Sequence, residues 1–163
     1  MVNEPSAFLF SMNKNKIYKS DEEKMLVALK EAEKAFKKNE VPIGSAAFYN
    51  NFLIAKDYNK VIKLNNPIAH AELLVLKKCA AILNNFRLNE IELFTTIEPC
   101  IMCFGALIHS RIKRLVYGAN NPKFGFTKFI KNINLLNHKI IISRNVLNND
   151  CSQIMKKFFE EKR

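Results

Sequence analysis

From Ser20 onward, apolar side chains recur at helical spacing: Met25, Leu26, Ala28, Leu29, Ala32 and Phe36. Ser20-Asp-Glu-Glu23 precedes them as a capping box, in which the serine oxygen accepts an early backbone N–H and Glu23 reaches back. Asn39 is a stop for this helix. Residues 43–49 and 52–58 read as two strands joined by Asn50-Asn51 as a hairpin turn. Residues 59–67 form a loop, and Pro67 disfavours a helical Asn66. Apolar positions 69, 73, 74, 76, 80 and 83 then predict a helix from about 69 to 83. A strand follows over 91–96, and Pro99 suits the first turn of a helix continuing to about Ser110. Residues 113–117 form another strand. Residues 120–128 read as a loop followed by a short helical or irregular piece, and 140–143 as a last strand. Asp150 can cap a C-terminal helix reaching Phe159. This order predicts an α/β domain with a central sheet and helices on its faces.

Residues 1–19 are polar and aperiodic apart from 7–10, and read as a loose extension preceding a domain over 20–163. Glu4 and the lack of Arg in that stretch argue against a transit peptide, and the secretory pattern is missing. A chain of 163 residues suits one domain, and 48% hydrophobic with 25% charged residues is an ordinary globular composition. No apolar run approaches the roughly 18 residues of a membrane span. The expected location is therefore cytoplasmic, with no membrane partner. The formal net charge of +11 favours polyanions. The 21 Lys, 20 Asn and 17 Ile against five Arg fit a coding bias equally well, so charge alone leaves nucleic acid open.

Cysteines stand at 79, 100, 103 and 151. A C-x-x-C pair without an export signal favours metal over a disulfide framework. Two strings carry the chemistry, His70-Ala71-Glu72 and Pro99-Cys100-Ile101-Met102-Cys103, each at a strand-to-helix junction. Cys100 and Cys103 are i and i+3, so both thiols share one face of a first helical turn, where the helix terminus favours thiolate. One imidazole and two thiolates make three donors. Structural zinc sites close four positions, whereas catalytic ones leave one for water, whose pKa the metal lowers. Glu72 could then take the proton of that water and pass it to a leaving nitrogen. Either string alone is weak: C-x-x-C also fits a redox pair, and H-x-E occurs by chance. Together they match H-x-E…P-C-x-x-C, the signature of the zinc nucleobase deaminases.

With these residues in place, the chain resembles the bacterial tRNA-specific adenosine deaminases of the cytidine/deoxycytidylate deaminase superfamily. The resemblance covers about 22–163. It includes Val41-Pro-Ile-Gly44, Pro67-Ile-Ala-His-Ala-Glu72, Asn85-Phe-Arg-Leu88, Thr96-Ile-Glu-Pro-Cys-Ile-Met-Cys103, Ser110-Arg-Ile112, Gly118-Ala119, Asn137-His138 and Phe158-Phe159. It implies a three-layer α/β/α cytidine-deaminase-like fold with a central five-stranded mixed sheet. It implies a homodimer with one Zn2+ per subunit that binds the tRNA anticodon loop and converts wobble adenosine to inosine, zinc-activated water attacking C6 while Glu72 shuttles protons.

Residue by residue, His70, Cys100 and Cys103 match the zinc ligands and Glu72 the shuttle. Asn59 matches the asparagine that contacts the flipped base, and the backbone at Ala71 and Cys100 faces the substrate and the water. His138, Phe159 and Arg163 match contacts to flanking nucleotides. Asn121 departs from the family, which often has an aspartate there, near the target's backbone and ribose. The amide keeps the hydrogen-bonding shape without the charge, which would loosen discrimination through the 2′-hydroxyl. Phe124 and Phe126 stand where the family more often has small residues.

Bland roles compete at several of these positions. Asn59 and His138 also fit plain loop residues, Phe158 and Phe159 a partly buried helix face, Arg111 a structural role, and Cys79 and Cys151 small core residues. Two other functions remain open: a zinc deaminase of free guanine or cytosine type nucleobases, and a non-catalytic zinc nucleic-acid module, against which Glu72 speaks.

Overall fold

A computed structural model describes residues 16–163; the expectation for 1–15 lies outside the described residues. Helix α1 (Asp21–Lys37) starts at the expected capping box. The Glu23 N–H donates to Ser20 Oγ at 3.2 Å, and Glu23 Oε2 accepts the Lys19 and Ser20 N–H groups. Ahead of it, the Tyr18 N–H donates to the Asn51 carbonyl at 3.0 Å, and its ring meets Phe48 edge-on. The hairpin β1 (Gly44–Tyr49) and β2 (Phe52–Tyr58) turns at Asn50 and Asn51, both at positive φ (46° and 65°). That backbone twist matches the twist of the flanking strands, and asparagine tolerates it.

Next come α2 (Ala71–Leu83), β3 (Ile91–Ile97), α3 (Ile101–His109) and β4 (Arg114–Ala119). A short α4 (Phe126–Phe129), a single 3-10 turn, β5 (Ile141–Arg144) and α5 (Asn148–Glu161) complete the chain. The sheet order is β2-β1-β3-β4-β5. β1 pairs antiparallel with β2 and β3, whereas β3–β4 and β4–β5 are parallel. This is the expected five-stranded mixed sheet.

Strand periodicity builds the three layers, because alternate residues point to opposite faces. Ala46, Phe48, Phe94 and Val116 meet Met25 and Ala28 of α1 and Cys151 of α5. Ala47, Leu93, Leu115 and Tyr117 meet Val75 and Cys79 of α2 and Phe104 and Leu107 of α3. Cys79 and Cys151 are thus small core residues, both fully buried. Gly44 lets α1 lie directly on β1: a Cβ there would overlap the Ala28 carbonyl and the Ala32 backbone nitrogen.

Three local expectations change. His70 follows the loop after β2 rather than a strand end, and is the N-cap of α2 instead of a residue inside it. The short helical piece expected after residue 128 is α4, which starts earlier, at Phe126, within the last three residues of the expected loop. Phe126 is 2% exposed and stacks on Phe104 (3.8 Å between centroids, 4° between planes), a contact 22 positions away that local pattern does not reveal. Helix α5 begins at Asn148, capped by Leu147 at φ 51°, so Asp150 sits in the first turn. Leu147 packs against the α1-side core, which outweighs the preference for a polar cap. Among the described residues, no helix is long and apolar enough to cross a membrane.

Candidate metal centre and its cavity

Parallel strands β3 and β4 and the helix between them set the site at the strand carboxyl ends, where α/β folds commonly bind ligands. Cys100 is the N-cap of α3, three residues beyond β3, and Cys103 lies in its first turn. His70 caps α2. Neither side chain makes a capping hydrogen bond to its helix, and the two point at each other. His70 Nδ1 lies 3.4 Å from Cys103 Sγ and 3.7 Å from Cys100 Sγ, and the three ligand atoms fall within 4.8 Å of one another. A tetrahedral ion with ordinary metal–nitrogen and metal–sulfur lengths sets such atoms about 3.6 Å apart. The donors are therefore spaced to hold one metal ion, with one position left over.

The electrostatics agree. The Cys100 thiol is brought down to about 4, first by the hydrogen bond from Cys103 and then by His70, against its burial. Cys103 is pushed up by that same hydrogen bond and by burial, because two neighbouring thiols resist ionising together. Contact with Cys100 raises His70, against burial and with help from Glu72. A divalent cation among them would favour both thiolates and the neutral imidazole.

Glu72, in the first turn of α2, is 2% exposed, and its Oε2 is buried without a hydrogen-bond partner. Burial pushes its carboxyl up to about 6, with Cys100 adding and its own backbone N–H and His70 opposing. An orphaned carboxylate oxygen beside a three-donor cluster is the arrangement that a water on a metal would satisfy.

A cavity of about 1030 Å³ opens over the cluster. His70, Glu72 and Cys100 line it together with Val41, Ile43 and Ile97. Phe124 and Phe129 face it from the segment after β4, and Phe159, Lys162 and Arg163 from the end of α5. Of the residues expected at the site, His70, Glu72, Cys100, Asn121, Phe159 and Arg163 thus share one cavity, with Cys103 in the cluster beneath. Ala71 is fully buried at the start of α2.

Two expected residues are not among those lining the cavity, although the Asn59 N–H bonds the carbonyl of lining residue Ile43 at 3.0 Å. Asn59 is 5% exposed and its amide donates to Glu40 Oε2 at 3.4 Å. Glu40 also accepts the Ile62 and Lys63 N–H groups, so Asn59 belongs to a buried network under the loop before His70. The His138 ring lies 2.8 Å from the Ile112 carbonyl, at the amino end of β4, whereas the metal donors are at the carboxyl ends. Asn121 lines the cavity with its amide committed to the loop: Oδ1 accepts the Phe124 N–H at 3.1 Å, and Nδ2 is 3.5 Å from the Glu98 carbonyl.

Other residues of the site carry no sequence-level signal of their own. Lys123 and Phe129 reach the cavity only through folding, whereas Lys162 belongs to the 159–163 end expected there. Glu98 stands within the string over 96–103 that carries the resemblance, with no role of its own expected there.

A five-stranded mixed sheet carrying H-x-E and P-C-x-x-C at two helix starts defines the class of the nucleobase deaminases. The family model of the MafB19-like deaminases matches residues 19–163, and the chain belongs to that family. It is 40% identical over 141 residues to a tRNA-specific adenosine deaminase of Buchnera aphidicola subsp. Schizaphis graminum, covering 85% of this chain and 93% of that one. It is 45% identical over 127 residues to the protein of the same name from Buchnera aphidicola subsp. Baizongia pistaciae, covering 76% and 78%. A structure solved in a study of A-to-I editing by tRNA:A34 deaminases superposes with a TM-score of 0.76 at 33% identity, covering 80% of this chain and 97% of that one. The guanine deaminase of Nitrosomonas europaea superposes at 0.80 with 25% identity, covering 97% and 94%.

Proposed function

We propose that this chain hydrolytically deaminates adenosine to inosine at the wobble position of tRNA, with one zinc ion held by His70, Cys100 and Cys103 and with Glu72 as proton shuttle. The observation that carries the reading is the orphaned Glu72 Oε2 beside the three-donor cluster, on the floor of a cavity rimmed by Lys123, Lys162 and Arg163. One imidazole and two thiolates suit zinc, which, when bound, acidifies a water at its open position. Glu72, buried with an unpartnered oxygen near these donors, would take a proton from that water and deliver it to the departing amine. The cationic rim attracts phosphates, and the exposed aromatic rings Phe124 (66%) and Phe159 (49%) offer faces for unpaired bases. An anticodon loop presents such bases at small cost of extrusion.

The reading includes a cytoplasmic homodimer: Ile68, Ile101 and Met102 are exposed beside the ligand segments, where a second copy would cover them. The similar superposition on a guanine deaminase keeps a free-nucleobase substrate as the second reading. The 40–45% identities to tRNA-specific enzymes and the basic rim favour the first.

The test is incubation of zinc-loaded protein with anticodon stem-loops carrying A34, and separately with adenosine, guanine and cytosine, with products separated by mass spectrometry. Inosine in the stem-loop alone is expected, abolished by chelation and restored by zinc. Turnover of guanine or cytosine without inosine would overturn the reading. Sedimentation of the same protein checks the dimer.

A further inference from the structure

The chemistry above leaves several buried charged groups unused, and one of them adjoins the metal ligands. Glu98, two residues before Cys100, is 2% exposed. Its Oε2 accepts the Asn121 backbone N–H at 3.0 Å, and its Oε1 accepts the Thr127 N–H at 3.0 Å and the Thr127 hydroxyl at 2.7 Å. Three donors converge on two oxygens, a demand that only an acceptor-only carboxylate meets in full. Gly125 lies over that carboxylate, and a Cβ there would overlap Glu98 Cδ. Its φ of −61° suits any residue, so glycine serves here for space alone.

The segment so gripped is the cavity wall itself. Residues 121 and 127 are tied to one carboxylate, and between them Lys123 and Phe124 face the cavity. Phe124 is 66% exposed, so burial of its ring does not hold it in place. Within the loop, the Asn121 side chain accepts the Phe124 N–H and its carbonyl accepts the Gly125 N–H at 2.8 Å. A separate backbone link, the Phe126 N–H to the Pro99 carbonyl (2.9 Å) and a Cys100–Gly125 bridge, fixes the wall's far end beside the metal ligand.

We propose that Glu98 is a positioning residue for substrate binding: its carboxylate sets the height of the 121–127 wall over Cys100, so that Lys123 and Phe124 meet the polynucleotide adjoining the target base. This rests on the nucleic-acid reading above. The backbone link at Pro99 and Cys100 does not depend on the carboxylate, so the metal stays bound when the wall loosens. Loss of Glu98 therefore weakens binding and spares the chemical step. A Glu98 that served stability alone would leave binding intact.

Glu98→Gln, of the same shape, turns one acceptor into a donor facing an N–H. Thr127→Val deletes only the hydroxyl contact, at an exposed position. In the zinc-loaded full chain, amide exchange over 119–128, zinc content, stem-loop affinity by fluorescence anisotropy and steady-state kinetics are measured. In Glu98→Gln, exchange of 121–127 is expected to quicken by about 10-fold or more. KM and Kd are expected to rise by about 10-fold, with kcat within about twofold and zinc content unchanged. Thr127→Val shifts the same readouts less, and the double variant is no worse than Glu98→Gln, because both act on one contact.

Unchanged exchange in folded Glu98→Gln, or a lowered Tm with unchanged KM and Kd, overturns the proposal. So does loss of zinc, which would make Glu98 a support of Cys100. If Glu98→Gln does not fold, Thr127→Val decides by its exchange and Kd. If the native protein leaves stem-loops unconverted, the wobble reading fails, while exchange and affinity still decide for or against Glu98.

Discussion

Glu72 sets function against stability, and its replacement by glutamine separates the two. The carboxyl is buried with one oxygen unpaired, and burial pushes it up to about 6 from an ordinary 4.5. A displacement of that size costs the folded state about 2 kcal/mol wherever the unfolded chain carries the charge freely. The sign follows from the raised value: the cost is complete above about pH 7, shrinks as pH falls through 6, and is gone below about pH 4. Glu72→Gln keeps the shape and removes the charge. Metal-free protein melted at pH 8 should therefore gain about 2 kcal/mol, or roughly 4–8 °C in Tm for a chain of this length. At pH 4.5 the two proteins should melt nearly together. With zinc bound the gain should shrink, since a cation beside Glu72 favours the carboxylate. Activity should meanwhile fall by about 10²–10⁴-fold. A variant melting at or below the native protein at pH 8 in chelator would refute the burial argument. Full activity in the variant would refute the shuttle.

Three further substitutions probe the frame. Phe126→Ala empties the space against Phe104 and Tyr117 and should cost about 3–5 kcal/mol in denaturant unfolding; a cost below about 1 kcal/mol would mean that the α4 stack holds nothing in place. Gly44→Ala forces α1 off β1 and should cost about 1–3 kcal/mol, read as a lower midpoint at unchanged slope. Burial alone would raise Asp57, but Lys60 at 2.6 Å, Lys78 at 2.8 Å and the Tyr58 N–H outweigh it and leave its carboxyl lowered. Its stabilisation is thus present above about pH 4 and lost as pH falls through its depressed value. Asp57→Asn should be less stable than the native protein by about 1–2 kcal/mol at pH 7, with the gap closing below about pH 4; a gap independent of pH would deny the charge its role.

What the sequence determined by itself is whatever depends on neighbours along the chain. The capping box at Ser20, the Asn50-Asn51 turn and the alternation in β1, β3 and β4 are set within a few residues, and each is present where expected. The i, i+3 spacing of Cys100 and Cys103 likewise places both thiols at one helix start before any tertiary contact forms. His70 and Glu72 are legible by type and spacing, but what makes Glu72 distinctive, an oxygen buried without a partner, exists only once α2 is packed beside α3.

Tertiary structure alone decided the rest. Helix α4 exists because Phe126 finds Phe104, and the start of α5 because Leu147 finds the α1-side core. The side chains of Asn59 and His138 meet Glu40 and the Ile112 carbonyl, partners 19 and 26 positions distant. Glu98 looks like an isolated acid in the chain and becomes an anchor only where Asn121 and Thr127 bring their N–H groups to it. The division has one physical cause: helix caps, turns and ligand spacing are short-range geometry, whereas burial and convergent hydrogen bonds join segments whose separation along the chain carries no information about their distance in space.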